Sequence, residues 1–388
     1  MSIADLFFCV HFGSFTNLAV NKAPLIICKM KHIFLSFFVL FSFNSIARCQ
    51  DLAHFADSIR EAYLVPELVY AVVSADSIFE MHALGNKRVG AQLPADINDR
   101  FRIGSNTKAI TGFIAARMVK NGDLSWDTKF FDKFQELRSK SNEGYFDMTL
   151  LDLLTFRTGL IKYTYTDSLP LKEQFSGTEY FQRYGFMQWV LQRPPVPHAK
   201  HALCFSNPGY TLAGFMEERA GAKSYQILVS ELGNELGIDF GFGPPNATDT
   251  LQPWGHDANL IPEPPADNYK LNWLMAAGNL NVSMPGYVKW IQLQLNGLQG
   301  KSTLLTQKEF EFLHFGRPEF AVGWFWEKNR AKHKVSHNTG NPGTFLSYIY
   351  VDKDADKAII IFSNAQTAKA DEAFGLLIDE IKSKYGIL

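Results

Sequence analysis

The spacing of apolar positions in this chain switches between helical and strand periods, and the switches lay out a fold. Asp51–Tyr63 carries apolar residues at helical spacing and reads as an amphipathic helix. Leu68–Ser74, Ser77–Leu84 and Phe101–Ile103 are short apolar runs of strand length. From Asn121 to about Ser302 helical patterns and long loops prevail, with helices predicted over Leu150–Thr155, Pro208–Ala220, Ser224–Leu236 and Tyr287–Leu295. Proline-rich Phe242–Pro265 is expected to wander over the surface. Strand runs return at Ala321–Glu327, Lys334–Thr339, Thr344–Val351 and Lys357–Ser363, with Asp352-Lys-Asp-Ala-Asp as a hairpin turn. A last helix, Lys369–Lys384, presents Ala373, Phe374, Leu377, Ile378 and Ile381 on one side. Strands at both ends with helices between predict a mixed α/β (α+β) fold. Its antiparallel sheet is formed by both chain ends and flanked by helices, with a mainly helical subdomain inserted over approximately residues 122–302.

The 388 residues are 46% hydrophobic and 14% aromatic, enough for a large packed core. A net charge of -1 without Lys/Arg runs argues against nucleic acid as a partner, and no repeat is visible. A small-molecule or peptide ligand is the better expectation. Lys29-Met30-Lys31-His32 precedes an apolar run from Ile33 to Phe43, and Ser45-Ile46-Ala47 offers small residues for cleavage. Residues 30–48 therefore read as an export signal, residues 1–29 as an over-extended N-terminus, and residues 50–388 as the folded domain. The apolar run is short for a bilayer, so a removed signal is expected and no stable membrane span; the periplasm of a bacterium is the expected location. Attachment through an uncleaved signal is the alternative.

Four cysteines, at 9, 28, 49 and 204, supply no disulfide framework, and Cys204 reads as a small buried residue. His198-Ala-Lys-His201 has a metal-compatible spacing but no further ligands nearby, so neither metal nor cofactor is expected.

The chemistry concentrates in Phe-Arg-Ile-Gly-Ser105-Asn-Thr-Lys108, where a strand-like run meets a helical pattern. Residues three apart share a helical face, so Lys108 can reach the Ser105 oxygen. The helix N-terminus favours an alkoxide there, and a desolvated lysine accepts a proton near neutral pH. Serine at a helix start with a solvated lysine after it is the ordinary reading of the same residues. Phe205-Ser206-Asn207-Pro208-Gly209-Tyr210 is a second element, in which Asn207 is also a good helix N-cap. His337-Asn338-Thr339-Gly340-Asn341-Pro342-Gly343 ends one strand and turns into the next, so it also reads as a plain hairpin.

In that order the three elements resemble the penicillin-binding protein and class C β-lactamase-like serine hydrolases, whose pattern is S-x-x-K, Y-x-N, then K-T-G or H-x-G. The resemblance spans approximately residues 52–385 and extends to Asn121-Gly-Asp-Leu-Ser-Trp-Asp and Met148-Thr-Leu-Leu-Asp-Leu-Leu-Thr-Phe-Arg-Thr-Gly-Leu. Ala277-Gly278 through Asn296-Gly297 resembles another recurring block.

The resemblance implies an acylated Ser105, Lys108 as its proton acceptor, and Asn207 bonding Lys108 and the substrate amide. It implies His337 in place of the third-motif lysine, and an oxyanion hole from the Ser105 and Gly340 main-chain N–H groups. Phe205 stands where the family has tyrosine, Thr339 where it has glycine, and Leu203 where an aromatic is usual. Phe205 and Thr339 would line the substrate path. Lys108 is the expected substitute for the missing hydroxyl, ahead of His337 through a water, Tyr163 and Tyr165. The implied activity is that of an exported serine hydrolase acting on an ester, a D-amino-acid peptide or a related amide. A true β-lactamase is disfavoured, because His337 lacks a permanent cation. The alternative is a weak or inactive member that binds cell-wall peptide or a partner.

Overall fold

Seven consecutive residues, Glu67–Val73, form strand β1, and every one is buried. Such burial requires neighbours on both edges and cover on both faces. On one edge lies β2 (Ile78–Gly85); on the other lies β9 (Lys357–Ser363), followed by β8 (Leu346–Asp352), β7 (Lys334–Gly340) and β6 (Phe325–Lys328). All these pairings are antiparallel. The strands from the two ends of the sequence meet inside the sheet, Leu68 opposite Ser363 through Val73 opposite Ala358.

The computed structural model describes residues 51–197, 202–266 and 268–387. The expected export signal at 30–48, the residues before it, and His198 and His201 lie outside them. The Gln50–Leu388 portion is one compact unit.

Strand alternation divides the core in two. Tyr70, Val72, Ile359 and Ile361 pack under the helices Leu52–Ala62 and Ala368–Tyr385. Val69, Ala71, Val73, Ile360 and Phe362 face the larger core on the other side. That core holds the Thr107–Asn121 helix, buried around most of its circumference from Thr107 to Ala116 and closed by Gly122 at φ +86°. A helix covered all round belongs at a protein's centre, and the left-handed glycine terminates it without a Cβ clash. A small second sheet, β3 (Arg100–Arg102), β5 (Leu280–Ser283) and β4 (Gly241–Phe242), leads the chain into this helix.

Two expectations need correction. Phe242–Pro265 is not a surface excursion: it opens on the last residue of β4, and Asn246 and His256 within it are fully buried. His256 accepts from the Val89 N–H through Nε2 (3.1 Å), and its Nδ1 lies 2.8 Å from the Asn364 carbonyl oxygen. These bonds make the segment a strut between the β2–β3 connection and the end of β9. The strand expected over Ala321–Glu327 starts only at Phe325. Gly323, at φ +89°, breaks it, and a Cβ there would lie 2.5 Å from Ala109 Cα. The glycine lets the chain press directly on the central helix.

Candidate active site

The chain enters the site through a turn that excludes side chains. Gly104 has φ +50°, and a Cβ on it would sit 2.6 Å from the Asn341 nitrogen at the end of β7. A Cβ on Gly340 would fall 1.8 Å from the Ile103 carbonyl oxygen. Glycine at both positions lets the β7 backbone touch the turn that carries Ser105, the middle residue of the 3-10 turn Gly104–Asn106. Asn106 Nδ2 donates to Ser347 Oγ (2.7 Å), which donates to the Ile103 carbonyl (2.9 Å), tying the turn to β8 as well.

One turn into the helix, Lys108 is only 1% exposed. Its Nζ lies 2.9 Å from Ser105 Oγ, 2.8 Å from Asn207 Oδ1 and 2.8 Å from the Ala277 carbonyl oxygen. An ammonium fills all three contacts as donor; a neutral amine gives two protons to the two carbonyl oxygens and turns its lone pair to the Ser105 hydroxyl. Burial lowers the Lys108 ammonium from 10.5 to about 7, so both forms are populated near neutrality. Aromatic faces complete the surroundings, with Nζ 5.7 Å from the Phe205 ring centre and 5.5 Å from that of Tyr210.

Asn207 is not the helix cap that its sequence position suggests. Ser206 caps the Asn207–Gly221 helix, accepting from the Gly209 N–H (3.3 Å) and donating to the Ile161 carbonyl (2.7 Å). With capping supplied by its neighbour, Asn207 is the first helical residue and its amide is free to bridge. Oδ1 accepts from Lys108, and Nδ2 donates to the Tyr163 carbonyl (2.9 Å). The Phe205 ring packs on Phe156 at 4.8 Å between centres.

The structure therefore brings Ser105, Lys108 and Asn207 together with Phe205 beside them, but it does not add His337 to the group. No hydrogen bond joins His337 to any of the three. Strand parity explains this: Val335 packs beneath the terminal helices, and Ser336 bonds buried His314 in the other core. His337 follows Val335; its ring lies 6.0 Å from Phe325, and its charged neighbours are Glu327 and Lys382. Burial pushes its pKa down. Thr339 shares that parity and is exposed.

The side chain that β7 turns toward the Ser105 turn is Asn338, which the motif reading passed over. Its Nδ2 donates to the carbonyls of Ser105 (3.2 Å) and Gly323 (3.1 Å), and its Oδ1 accepts from the Thr339 N–H (2.9 Å). Only the alternation of apolar Val335 against polar Ser336 carried a signal for it. Both Gly340 and the Asn341 nitrogen lie against Gly104, within 3.0 Å of where a Cβ on it would be.

Of the other hydroxyls, Tyr163 is buried with its phenol unpartnered and its ring 4.7 Å from Phe186. Tyr163 has φ +34°, a left-handed conformation that costs of order 1–3 kcal/mol in a residue with a side chain. The Tyr165 hydroxyl donates to Asn341 Oδ1 at 3.1 Å. Leu203 and Cys204 are half-buried, and burial raises the Cys204 thiol. Two open cavities, of about 230 and 590 Å³, are lined by residues around Phe215 and Phe181, and neither includes Ser105. Far from the site, His333, Asp352 and Asp354 place ligand-type atoms within 4.8 Å of one another. Asp352 already accepts from Asn329 Nδ2 and the Asp354 and Ala355 N–H groups, as a residue that staples a hairpin does.

Known proteins share this fold. The family model described as Beta-lactamase matches residues 52–380. The penicillin-binding protein homologue from Pyrococcus abyssi, an octamer, superposes with a TM-score of 0.69 at 19% identity, over 84% of this chain and 77% of that one. A class C beta lactamase from Rhodobacter sphaeroides gives 0.66 at 18% identity, over 85% of this chain and 99% of that one. The D-alanine carboxypeptidase AmpC from Burkholderia cenocepacia gives 0.68 at 16% identity, with the same 85% and 99% coverage. In sequence, Protein flp of Staphylococcus aureus (strain NCTC 8325 / PS 47) is 22% identical over 311 residues. That match spans 77% of this chain but only 60% of the relative's length. The family match over most of the described residues, together with the shared fold, shows that this chain belongs to the beta-lactamase family.

Proposed function

We propose that this protein is a serine hydrolase acylated on Ser105, acting on an ester, a D-amino-acid peptide or a related amide outside the cytoplasm. The observation that carries the reading is the 2.9 Å contact between Ser105 Oγ and a buried Lys108 whose pKa lies at about 7. Neutral Lys108 takes the hydroxyl proton as Ser105 Oγ bonds to the acyl carbon. The Ser105 N–H and the N–H groups of the Gly340–Asn341 turn are the donors for the developing oxyanion. Lys108 then returns the proton to the leaving oxygen or nitrogen as that bond breaks. In the second half a water attacks the acyl carbon, gives its proton to Lys108, and Ser105 is released with its hydroxyl restored.

Phe205 sets the speed of this cycle. The hydroxyl that the family's tyrosine would bring is absent, so one amine serves every proton transfer. A general acid or base contributes about 10²–10⁴-fold, so turnover is expected to be slow while acylation persists. The same residue favours a second reading, a catalytically weak binder of cell-wall peptide. A fluorophosphonate and a fluorescent penicillin, each tested with wild type and Ser105→Ala, separate the readings. Ser105-dependent labelling by the fluorophosphonate supports the hydrolase, and labelling by it alone points to esters or peptides. Absence of any Ser105-dependent adduct sinks the hydrolase and leaves the binder.

A further inference from the structure

The segment Lys162–Tyr165 links two parts of the candidate site. At its start, the Lys162 and Tyr163 carbonyls accept from the Asn207 N–H (3.2 Å) and Nδ2 (2.9 Å), which fixes it to the wall that holds Lys108. Two residues later the Tyr165 hydroxyl reaches Asn341 Oδ1, on the turn that abuts Gly104. Between the two attachments Tyr163 is left-handed and the Asp167 N–H donates to the Thr164 carbonyl (3.2 Å), so the chain turns sharply and carries the Tyr165 ring across to Asn341. The position is held from several sides. Asn341 Oδ1 also accepts from the Gly343 N–H (2.9 Å). A Cβ on Gly343, at φ +103°, would lie 2.8 Å from the Tyr165 ring, so glycine there makes room for the tyrosine. Lys270 Nζ donates to the Tyr165 carbonyl (3.3 Å) and to that of Asp167, fastening the segment from outside. Tyr165 itself is neither part of the core nor fully exposed.

We infer that Tyr165 is a specificity-determining residue: its ring and its bond to Asn341 close the mouth over Ser105 and admit only a short acyl group. The inference rests on the Ser105 hydrolase reading and adds to it the size of the acyl chain. Phe205 and Tyr210 already occupy the space around Lys108 with rings, so length has to be accommodated at the mouth, where Tyr165 stands. A long chain must break the tyrosine–asparagine bond to enter, and a two-carbon chain passes beneath it.

The test compares wild type, Tyr165→Phe and Tyr165→Ala on p-nitrophenyl acetate and p-nitrophenyl octanoate, and for labelling by fluorophosphonates with short and long alkyl chains. Wild type should favour the short member of each pair. Tyr165→Ala should shrink that preference at least about tenfold, through faster reaction of the long member. Tyr165→Phe, which keeps the ring and loses the bridge, should fall between them. A preference that stays within about twofold in both variants, with Ser105 still labelled by the short probe, overturns the gate and leaves the hydrolase standing. Labelling that appears only in Tyr165→Ala supports the gate in its strongest form. Absence of Ser105 labelling in all three overturns the hydrolase reading and the gate with it.

Discussion

Lys108 is the residue on which the proposed chemistry turns, and its burial has two measurable consequences. The first concerns rate: in the proposed cycle only the neutral amine accepts the Ser105 proton, so kcat/KM for an ester should rise with pH through about 7 and level above it. The second concerns stability. The folded value lies below the ordinary 10.5, so between about 7 and 10.5 the unfolded chain binds more protons and wild-type stability climbs with pH. Lys108→Met has no such group. Its stability relative to wild type should therefore fall by about 4 kcal/mol between pH 7 and pH 10, read from denaturant melts at each pH. A flat difference would mean that Lys108 is solvated. Phe205 is the complementary case, because its ring already packs on Phe156 and near Lys108. Phe205→Tyr should raise ester turnover at least about tenfold; an unchanged kcat would show that the absent hydroxyl does not limit the cycle.

At the scale of elements, β7 decides which side chains face Ser105. Side chains alternate between the faces of a strand, and here Asn338 bonds the Ser105 carbonyl while the His337 ring lies by Phe325. His337→Ala is accordingly expected to leave Ser105 labelling within about threefold of wild type, whereas Asn338→Ala should slow it at least about tenfold. Loss of Asn338 also strands the Ser105 and Gly323 carbonyls and should cost about 1–3 kcal/mol in a thermal or chemical melt. The reverse ranking would restore His337 to the site. The same distinction governs what could be read from sequence. Strand and helix runs such as Glu67–Val73 and Lys357–Ser363 announce themselves through long apolar patterns that local chemistry enforces. Ser105 and Lys108 were legible because three residues of helix bring them together whatever the rest of the chain does. From its local sequence Asn207 reads as a cap, and its bond to Lys108 follows only from the family resemblance, since which of two adjacent polar residues caps depends on Ile161, a distant partner. Asn338 and the buried His256 strut were hidden for the same reason: their partners lie far along the chain, and no local period encodes them.

For the whole molecule, the site belongs to no single stretch of chain. The nucleophile turn comes from the first third, Asn207 from the middle, and Asn338 and Ser347 from the last strands, while the two ends of the sequence meet as β1 and β9 at the heart of the sheet. Contacts so distant in sequence make assembly slow, because long loops must close before any pairing rewards them. β8 lies directly against β9, and β8 supplies the Ser347 that ties down the Ser105 turn. The seam between first and last strands thus acts as a clock. Reactivity at Ser105 should be the last property to return on refolding from denaturant, growing with the slowest phase seen by intrinsic fluorescence. A burst of labelling ahead of that phase would show that the turn assembles without the sheet. A chain interrupted before β9 would keep Ser105, Lys108, Asn207 and Asn338, yet lose the strand that braces β8 and, through Ser347, the Ser105 turn.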